Sequence, residues 1–275
     1  MSNKKYRGIV VPAITPLKAD RTLDTAAVER LLPSFPHPFI LGTTGEAPSL
    51  PRQLKERYIR LAGKIKTKGQ QLYVGISSNC PDESVEWARL AFGEGADLVV
   101  CNLPSYFQLS EDQMRRHFEW LAERVKGPLV IYNIPSTTHH SIPLPVIDEL
   151  SHHPTVVGMK DSERNEERLR AALKLWAGRE DFSHFLGWSA KSGESLLNGG
   201  DGLVPSNANL DVGVYVDLER AAGRGDTVEV ARLQAIADQL GASYQTGKSL
   251  GESLAALKSL MHQRGLCEPY LMPPL

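Results

Sequence analysis

Lys160 ends the apolar run Thr155-Val156-Val157-Gly158-Met159-Lys160, and Asp161-Ser162 follow at once. The run reads as a buried strand with one positive charge at its tip. Desolvation disfavours the ammonium form and pushes the pKa down, toward a neutral amine that attacks carbonyl carbons and forms Schiff bases. The plain structural alternative is a strand-end lysine that snorkels to solvent. Schiff-base chemistry also needs a proton carrier and a grip for an anionic substrate. Tyr132 closes a second apolar run, Leu129–Tyr132. Its phenol has an ordinary pKa of about 10, which a neighbouring cation would lower; taken alone it fits a core tyrosine with a satisfied hydroxyl equally well. Gly42-Thr43-Thr44-Gly45-Glu46 places two hydroxyls between glycines ahead of a helix. Exposed N–H groups there can hold a carboxylate or phosphate, or the segment is an ordinary strand-to-helix turn. No Gly-Lys-Ser/Thr follows, which argues against a nucleotide P-loop.

Asp161 is adjacent to Lys160 in an extended segment and therefore faces the other way. It is expected as a helix cap or loop anchor, not as the lysine's partner. His139-His140 and His152-His153 invite a metal hypothesis, but neighbours in extended structure diverge and no carboxylate is spaced to complete a site. They read as surface or loop histidines, and no metal is expected.

These residues have to be positioned by the rest of the chain. Short β-rich runs at Gly8–Ala13, Phe39–Leu41, Leu72–Gly75, Leu98–Cys101, Leu129–Tyr132, Val156–Lys160, His184–Gly187 and Gly202–Val204 alternate with helical patterns. Those patterns include Arg52–Ile65, Glu83–Phe92, Gln113–Val125, Leu144–Leu150 and Asn165–Leu175. Strands separated by helices predict a parallel sheet, and eight is the count that closes a (β/α)₈ TIM barrel of the α/β class. Several runs are apolar at consecutive positions, as suits strands covered on both faces. The competing doubly wound sheet would carry a Gly-rich fingerprint after its first strand, whereas Ile14-Thr15-Pro16 stands there. In a barrel the site lies at the carboxyl ends of the strands, which gathers Thr43, Thr44, Tyr106, Tyr132, Lys160 and Val204 at one mouth.

Beyond the eighth run, Val212–Ala222, Val228–Leu240 and Ser249–His262 read as helices without intervening strands. The expected division is a barrel over residues 1–222 and a small C-terminal helical region over residues 223–275, with Gly223-Arg224-Gly225-Asp226 as the hinge. Met272-Pro273-Pro274-Leu275 is expected to be an extended arm. Pro33, Pro36 and Pro38 crowd the end of the helix that starts near Thr25 and must keep it short.

The 275 residues carry a formal net charge of −1, so charge gives no case for nucleic acid or membrane partners. The three cysteines, Cys80, Cys101 and Cys267, are far apart and form no CxxC pair. Neither a zinc site nor a disulfide framework is suggested, and a reducing compartment follows. The start of the chain has no apolar signal-like stretch, and no run approaches the roughly 20 residues of a membrane span. A cytoplasmic location is expected.

Gly-Thr-Thr-Gly-Glu at 42–46, Tyr-Asn-x-Pro at 132–135 and Gly-x-Lys-Asp-Ser at 158–162 together resemble the dihydrodipicolinate synthase/N-acetylneuraminate lyase family of class I aldolases. The likeness runs from Gly8 through Leu275. It implies a (β/α)₈ barrel with a C-terminal helical region, no metal or organic cofactor, and a homo-oligomer built as a dimer of dimers. It also implies a Schiff base between Lys160 and pyruvate or another 2-oxo acid, with an aldehyde as the second substrate. By the same resemblance Tyr132 is the general acid/base and Thr43 relays its protons. Thr44 and nearby amides such as Gly45 grip the carboxylate, and Val204 offers a backbone carbonyl. Tyr106 reaches the neighbouring subunit's site.

The chain departs from the pattern at Thr137, where dihydrodipicolinate synthases carry the arginine that binds the acceptor's carboxylate. Without that guanidinium fork an acidic aldehyde loses its best donor. The Lys-Asp-Ser ending is more similar to 2-keto-3-deoxy sugar-acid aldolases, and a polar Thr137-Thr138 pair suits a polyhydroxy aldehyde. A dihydrodipicolinate synthase with an altered acceptor site, using aspartate semialdehyde, is the second expectation. A catalytically inactive 2-oxo-acid-binding protein is the third.

Overall fold

Eight parallel strands close on themselves in sequence order. They are β1 (Gly8–Pro12), β2 (His37–Ile40), β3 (Tyr73–Gly75), β4 (Leu98–Asn102), β5 (Leu129–Asn133), β6 (Val156–Asp161), β7 (Ser183–Leu186) and β8 (Gly202–Leu203). Helices α1 (Thr25–Leu31), α2 (Arg52–Ile65), α3 (Pro81–Gly93), α4 (Glu111–Arg124), α5 (Pro135–Thr138), α6 (Leu144–Leu150), α7 (Glu166–Leu175), α8 (Ser192–Leu197) and α9 (Val212–Gly223) alternate with them. The chain continues into α10 (Thr227–Gln245) and α11 (Leu250–Gln263). The computed structural model describes residues 4–275. The expected TIM barrel is therefore the observed fold.

Strand side chains alternate between two apolar clusters, as the two-residue period requires. Val10, Phe39, Tyr73, Val100, Val130, Tyr132 and Phe185 point inward and fill the barrel. Their neighbours Val11, Ile40, Val74, Val99, Ile131 and Met159 point outward, under the helices. Burial on both faces is why these strands read as continuous apolar runs. The barrel is thus packed solid below its mouth, and an inward side chain at a strand's carboxyl end is the first to meet solvent. Tyr132 and Lys160 hold those positions, side by side across the β5–β6 pairing.

The proline cluster acts as expected on α1, which spans seven residues and runs into a 3₁₀ turn at Leu32–Ser34. β2 begins earlier than its apolar pattern suggested and takes in Pro38. Pairing with β3 starts only at Phe39, so the missing N–H falls at the strand's entry, where it costs least. α10 runs five residues past Leu240. Gly241 lies inside the helix, with Asn207 Nδ2 3.6 Å from where its Cβ would be.

The tail is not an extended arm. Met272 is buried, its N–H donates to Glu46 Oε2 at 2.9 Å, and Leu275 N–H turns back onto Met272 O. Among the described residues no helix is long and apolar enough to cross a membrane, and no group of three or more His, Cys, Asp or Glu could hold a metal ion.

His117 on α4 gives the fold an acid sensitivity. Its Nε2 is buried without a hydrogen-bond partner, and burial pushes its pKa down to about 4. The unfolded chain takes up this proton near the ordinary value of about 6.5, before the folded state does. Stability is therefore present above pH 6.5 and lost as pH falls toward 4, by about 2 kcal/mol at pH 5. Urea melts at pH 8 and pH 5 should show that loss shrinking in His117→Leu.

Candidate active site

The Gly42–Glu46 segment folds into a tight turn on the end of β2. Gly45 N–H donates to Gly42 O at 3.1 Å, Glu46 N–H to Thr43 O at 3.0 Å and Ala47 N–H to Gly42 O at 3.3 Å. Thr15 Oγ1 donates to Gly45 O at 2.6 Å. A Cβ on Gly45 would come within 3.1 Å of Ala13 O, so any larger residue would press the turn against β1's exit. Gly45 is consumed in holding the turn and does not line the cavity. The amides of Thr43 and Thr44 have no protein acceptor among the described residues, and both residues line the cavity.

Lys160 rises between these amides and β5. It is buried, and its Nζ lies 3.8 Å from the centroid of the Tyr132 ring and 5.2 Å from that of Phe39. Aromatic faces are favourable neighbours for a desolvated cation. No carboxylate is paired with this amine among the described residues. Asp161 faces away, as alternation demands. It accepts from Asn133 Nδ2 at 2.9 Å, Arg168 Nε at 2.7 Å and Glu163 N–H at 3.0 Å. Asn133 also receives the Ile142 N–H at 3.0 Å. The Asn of Tyr-Asn-x-Pro and the Asp of Lys-Asp-Ser therefore lock the ends of β5 and β6 together and fix the spacing of Tyr132 and Lys160.

The Tyr132 hydroxyl lies 3.4 Å from Thr43 Oγ1. Burial pushes this phenol up, but the Lys160 charge and hydrogen bonds with Thr43, Lys160 and Ser162 outweigh it. The net result lies below the ordinary tyrosine range. Ser162 was not singled out in the sequence. Gly187 makes room for it, because a Cβ there would stand 2.2 Å from Ser162 Oγ.

The cavity above Lys160 has a volume of about 860 Å³. Val204 lines it, with an N–H bound to Leu186 O at 2.8 Å and a carbonyl that accepts from no described residue. Thr137 does not line it. Its hydroxyl turns down to Ile134 O at 3.3 Å, and Ser136 stands on the wall instead. Tyr106 is also off the wall, 80% exposed, with its ring edge-on to Phe107 at 5.0 Å. Ser206 faces the cavity, its hydroxyl 2.6 Å from Tyr244 OH, whereas Asn207 is buried between Ala237 O and Tyr215 OH.

Of the four histidines read as surface or loop groups, His140 is in a loop but not on the surface. It is buried, and its Nε2 accepts the Leu109 N–H at 2.8 Å. Two further wall residues escaped the sequence reading, Arg164 from β6's exit loop and Lys248 from the turn before α11. Neither is ion-paired with a carboxylate among the described residues. Their only advance signal was nearness to Lys160 for the first, and none for the second.

A lysine on aromatic faces, a phenol of lowered pKa and two amides without a described acceptor stand together at the barrel mouth. Comparison with known proteins gives the class, a carbon–carbon lyase. A profile of the Dihydrodipicolinate synthetase family matches residues 5–275, and the chain belongs to that family. A solved dihydrodipicolinate synthase from Bacteroides thetaiotaomicron superposes with a TM-score of 0.93 at 33% identity, covering 99% of this chain and 94% of that one. An uncharacterized DapA-like lyase of Pyrococcus horikoshii is 32% identical over 97% of this chain and 93% of its own length. A probable 2-dehydro-3-deoxy-D-pentonate aldolase of Escherichia coli is 27% identical over 99% of this chain and 92% of its own.

Proposed function

We propose that this lyase is a class I aldolase in which Lys160 forms a Schiff base with pyruvate, and that it makes or breaks a 2-keto-3-deoxy sugar acid. The observation that carries the reading is the Lys160 amine 3.8 Å above the Tyr132 ring, with the Tyr132 hydroxyl 3.4 Å from Thr43. The amine adds to the keto carbon, the carbinolamine hydroxyl takes the Tyr132 proton and leaves as water, and the iminium and the Tyr132 phenolate remain. The iminium then accepts the electron pair of the C3–C4 bond as Tyr132 takes the proton of the 4-hydroxyl, and an aldehyde departs. The enamine is protonated at C3 and hydrolysed to pyruvate. Synthesis is the reverse. The Thr43 and Thr44 amides hold the carboxylate, so the keto carbon is presented to the amine and proximity supplies much of the rate. The iminium is itself the electron sink, so the chemistry calls for no metal or organic cofactor.

The same reading makes the enzyme a cytoplasmic homo-oligomer, a dimer of dimers in which Tyr106 completes a neighbour's site. Support comes from three free cysteines and from the exposure of Tyr106 and Phe107, 80% and 69%, unusual for large aromatic side chains.

One observation favours a second acceptor. Arg164 brings a guanidinium to the cavity wall, which an acidic aldehyde such as aspartate semialdehyde could use in place of the arginine missing at Thr137. The test has two stages. Pyruvate with borohydride should add a reduced adduct at Lys160, seen by mass spectrometry; its absence would leave at most a 2-oxo-acid-binding protein. Pyruvate with a panel of aldehydes then separates the acceptors, and efficient use of aspartate semialdehyde over glyceraldehyde or glycolaldehyde would overturn the sugar-acid preference. Thr43→Val should lower kcat about tenfold and move the limb of the pH–kcat profile set by Tyr132 to higher pH, because a hydrogen bond that lowers this phenol is gone.

A further inference from the structure

Glu46 is an unusual residue for its place. It has a left-handed backbone, φ 58°, which glycine or asparagine adopts at less cost. It is also a buried carboxylate. Its Oε1 lies 2.6 Å from Lys258 Nζ on α11, and both side chains are 1% exposed. That contact is close but not aligned as a hydrogen bond. Lys258 Nζ donates instead to Tyr270 O at 2.7 Å, and Glu46 Oε2 accepts the Met272 N–H at 2.9 Å.

A buried ion pair is a poor device for stability alone, because desolvating both charges offsets most of their attraction. It does hold a geometry. Glu46 N–H is bound to Thr43 O, so the strained residue and the two free amides form one turn. The other end of the strut is the C-terminal helix and tail.

We propose that Glu46 and Lys258 are positioning residues that aim the Thr43 and Thr44 amides at the substrate carboxylate. The C-terminal helical region is thereby built into carboxylate recognition. This inference rests on the Schiff-base reading above. It predicts a selective defect: recognition of the carboxylate weakens while the reactivity of Lys160 toward a ketone does not.

The double variant Glu46→Gln/Lys258→Met removes both charges together, so neither is left buried alone. Borohydride capture at Lys160 is measured against concentration for pyruvate and for hydroxyacetone, a ketone with no carboxylate. Half-saturating pyruvate should rise about tenfold, the size expected when charge-holding hydrogen bonds lose alignment. Half-saturating hydroxyacetone should stay within about twofold. Unchanged pyruvate dependence, or an equal shift for both ketones, would overturn the proposal. If the double variant does not give a folded melting transition, Met272→Pro decides. It deletes the N–H bound to Glu46 together with the buried Met272 side chain, so Met272→Ala, which keeps the N–H, is its control; relative to that control it should raise half-saturating pyruvate about threefold with hydroxyacetone unmoved, and equal shifts or none overturn the proposal there too. No adduct in the unmodified protein would instead remove the Schiff-base reading, and this inference with it.

Discussion

Lys160→Met is expected to abolish covalent capture of pyruvate at this position and to lower kcat by about 10⁴-fold or more, because the electron sink is gone. Methionine fills a similar volume against Tyr132 and Phe39, and Lys160 has no carboxylate partner to be orphaned. The barrel should therefore fold, with a melting temperature within a few degrees of the unmodified protein. The substitution has a second, silent consequence. With the Lys160 charge and its hydrogen bond removed, burial acts on Tyr132 against weaker opposition, so its phenol must rise. Titration of ring-labelled tyrosine by NMR would show one resonance moving to higher pH in this variant. A tyrosine titration that does not respond would mean that the two groups are not coupled as their 3.8 Å separation requires. Lys160→Arg makes a useful companion. It keeps a positive charge near the phenol but cannot form the Schiff base, so capture is lost while the tyrosine shift is largely retained.

The sequence exposed the barrel because its strands are buried on both faces, which leaves apolar runs of strand length between amphipathic helices. It exposed Lys160 for the opposite reason: a charge stood where the pattern demanded none. Asp161 could be turned away from the site by alternation alone, and it does face Arg168 and Asn133. Other parts of the site had no local signature. Thr137 and Ser136 are adjacent hydroxyl residues in a one-turn helix, and only the direction of that turn puts Ser136 on the wall and Thr137 against Ile134 O. The Glu46–Lys258 contact joins residues 212 positions apart (258 − 46), and the tail was misread for the same reason. A short Pro-Pro tail reads as an arm until its amide is seen to bind a carboxylate in the turn after β2. Strand period carries information over a few residues, whereas a cavity wall is assembled from loops whose geometry depends on distant contacts.

Tyr132→Phe should separate the two halves of the reaction. The ring that faces Lys160 Nζ remains, and among the described residues the lost hydroxyl was bound to Thr43, Lys160 and Ser162. Capture of pyruvate at saturation should persist, although more slowly. Cleavage and formation of the carbon–carbon bond lose their proton carrier, and kcat should fall about 10²- to 10³-fold. The pH dependence gives the sharper check. A phenol that must accept a proton in cleavage makes kcat rise with pH through its pKa, and for Tyr132 that limb lies below the ordinary tyrosine range. In the phenylalanine variant the limb should vanish. Folding stability should not obscure the result. A lowered phenol contributes linkage stability only as pH rises past its folded pKa, so melts of the two proteins at a matched pH below the limb should agree as far as this route is concerned. If kcat kept its limb in Tyr132→Phe, the proton would be travelling through another group, and Thr43 and Ser162 would be the hydroxyls already in place to carry it.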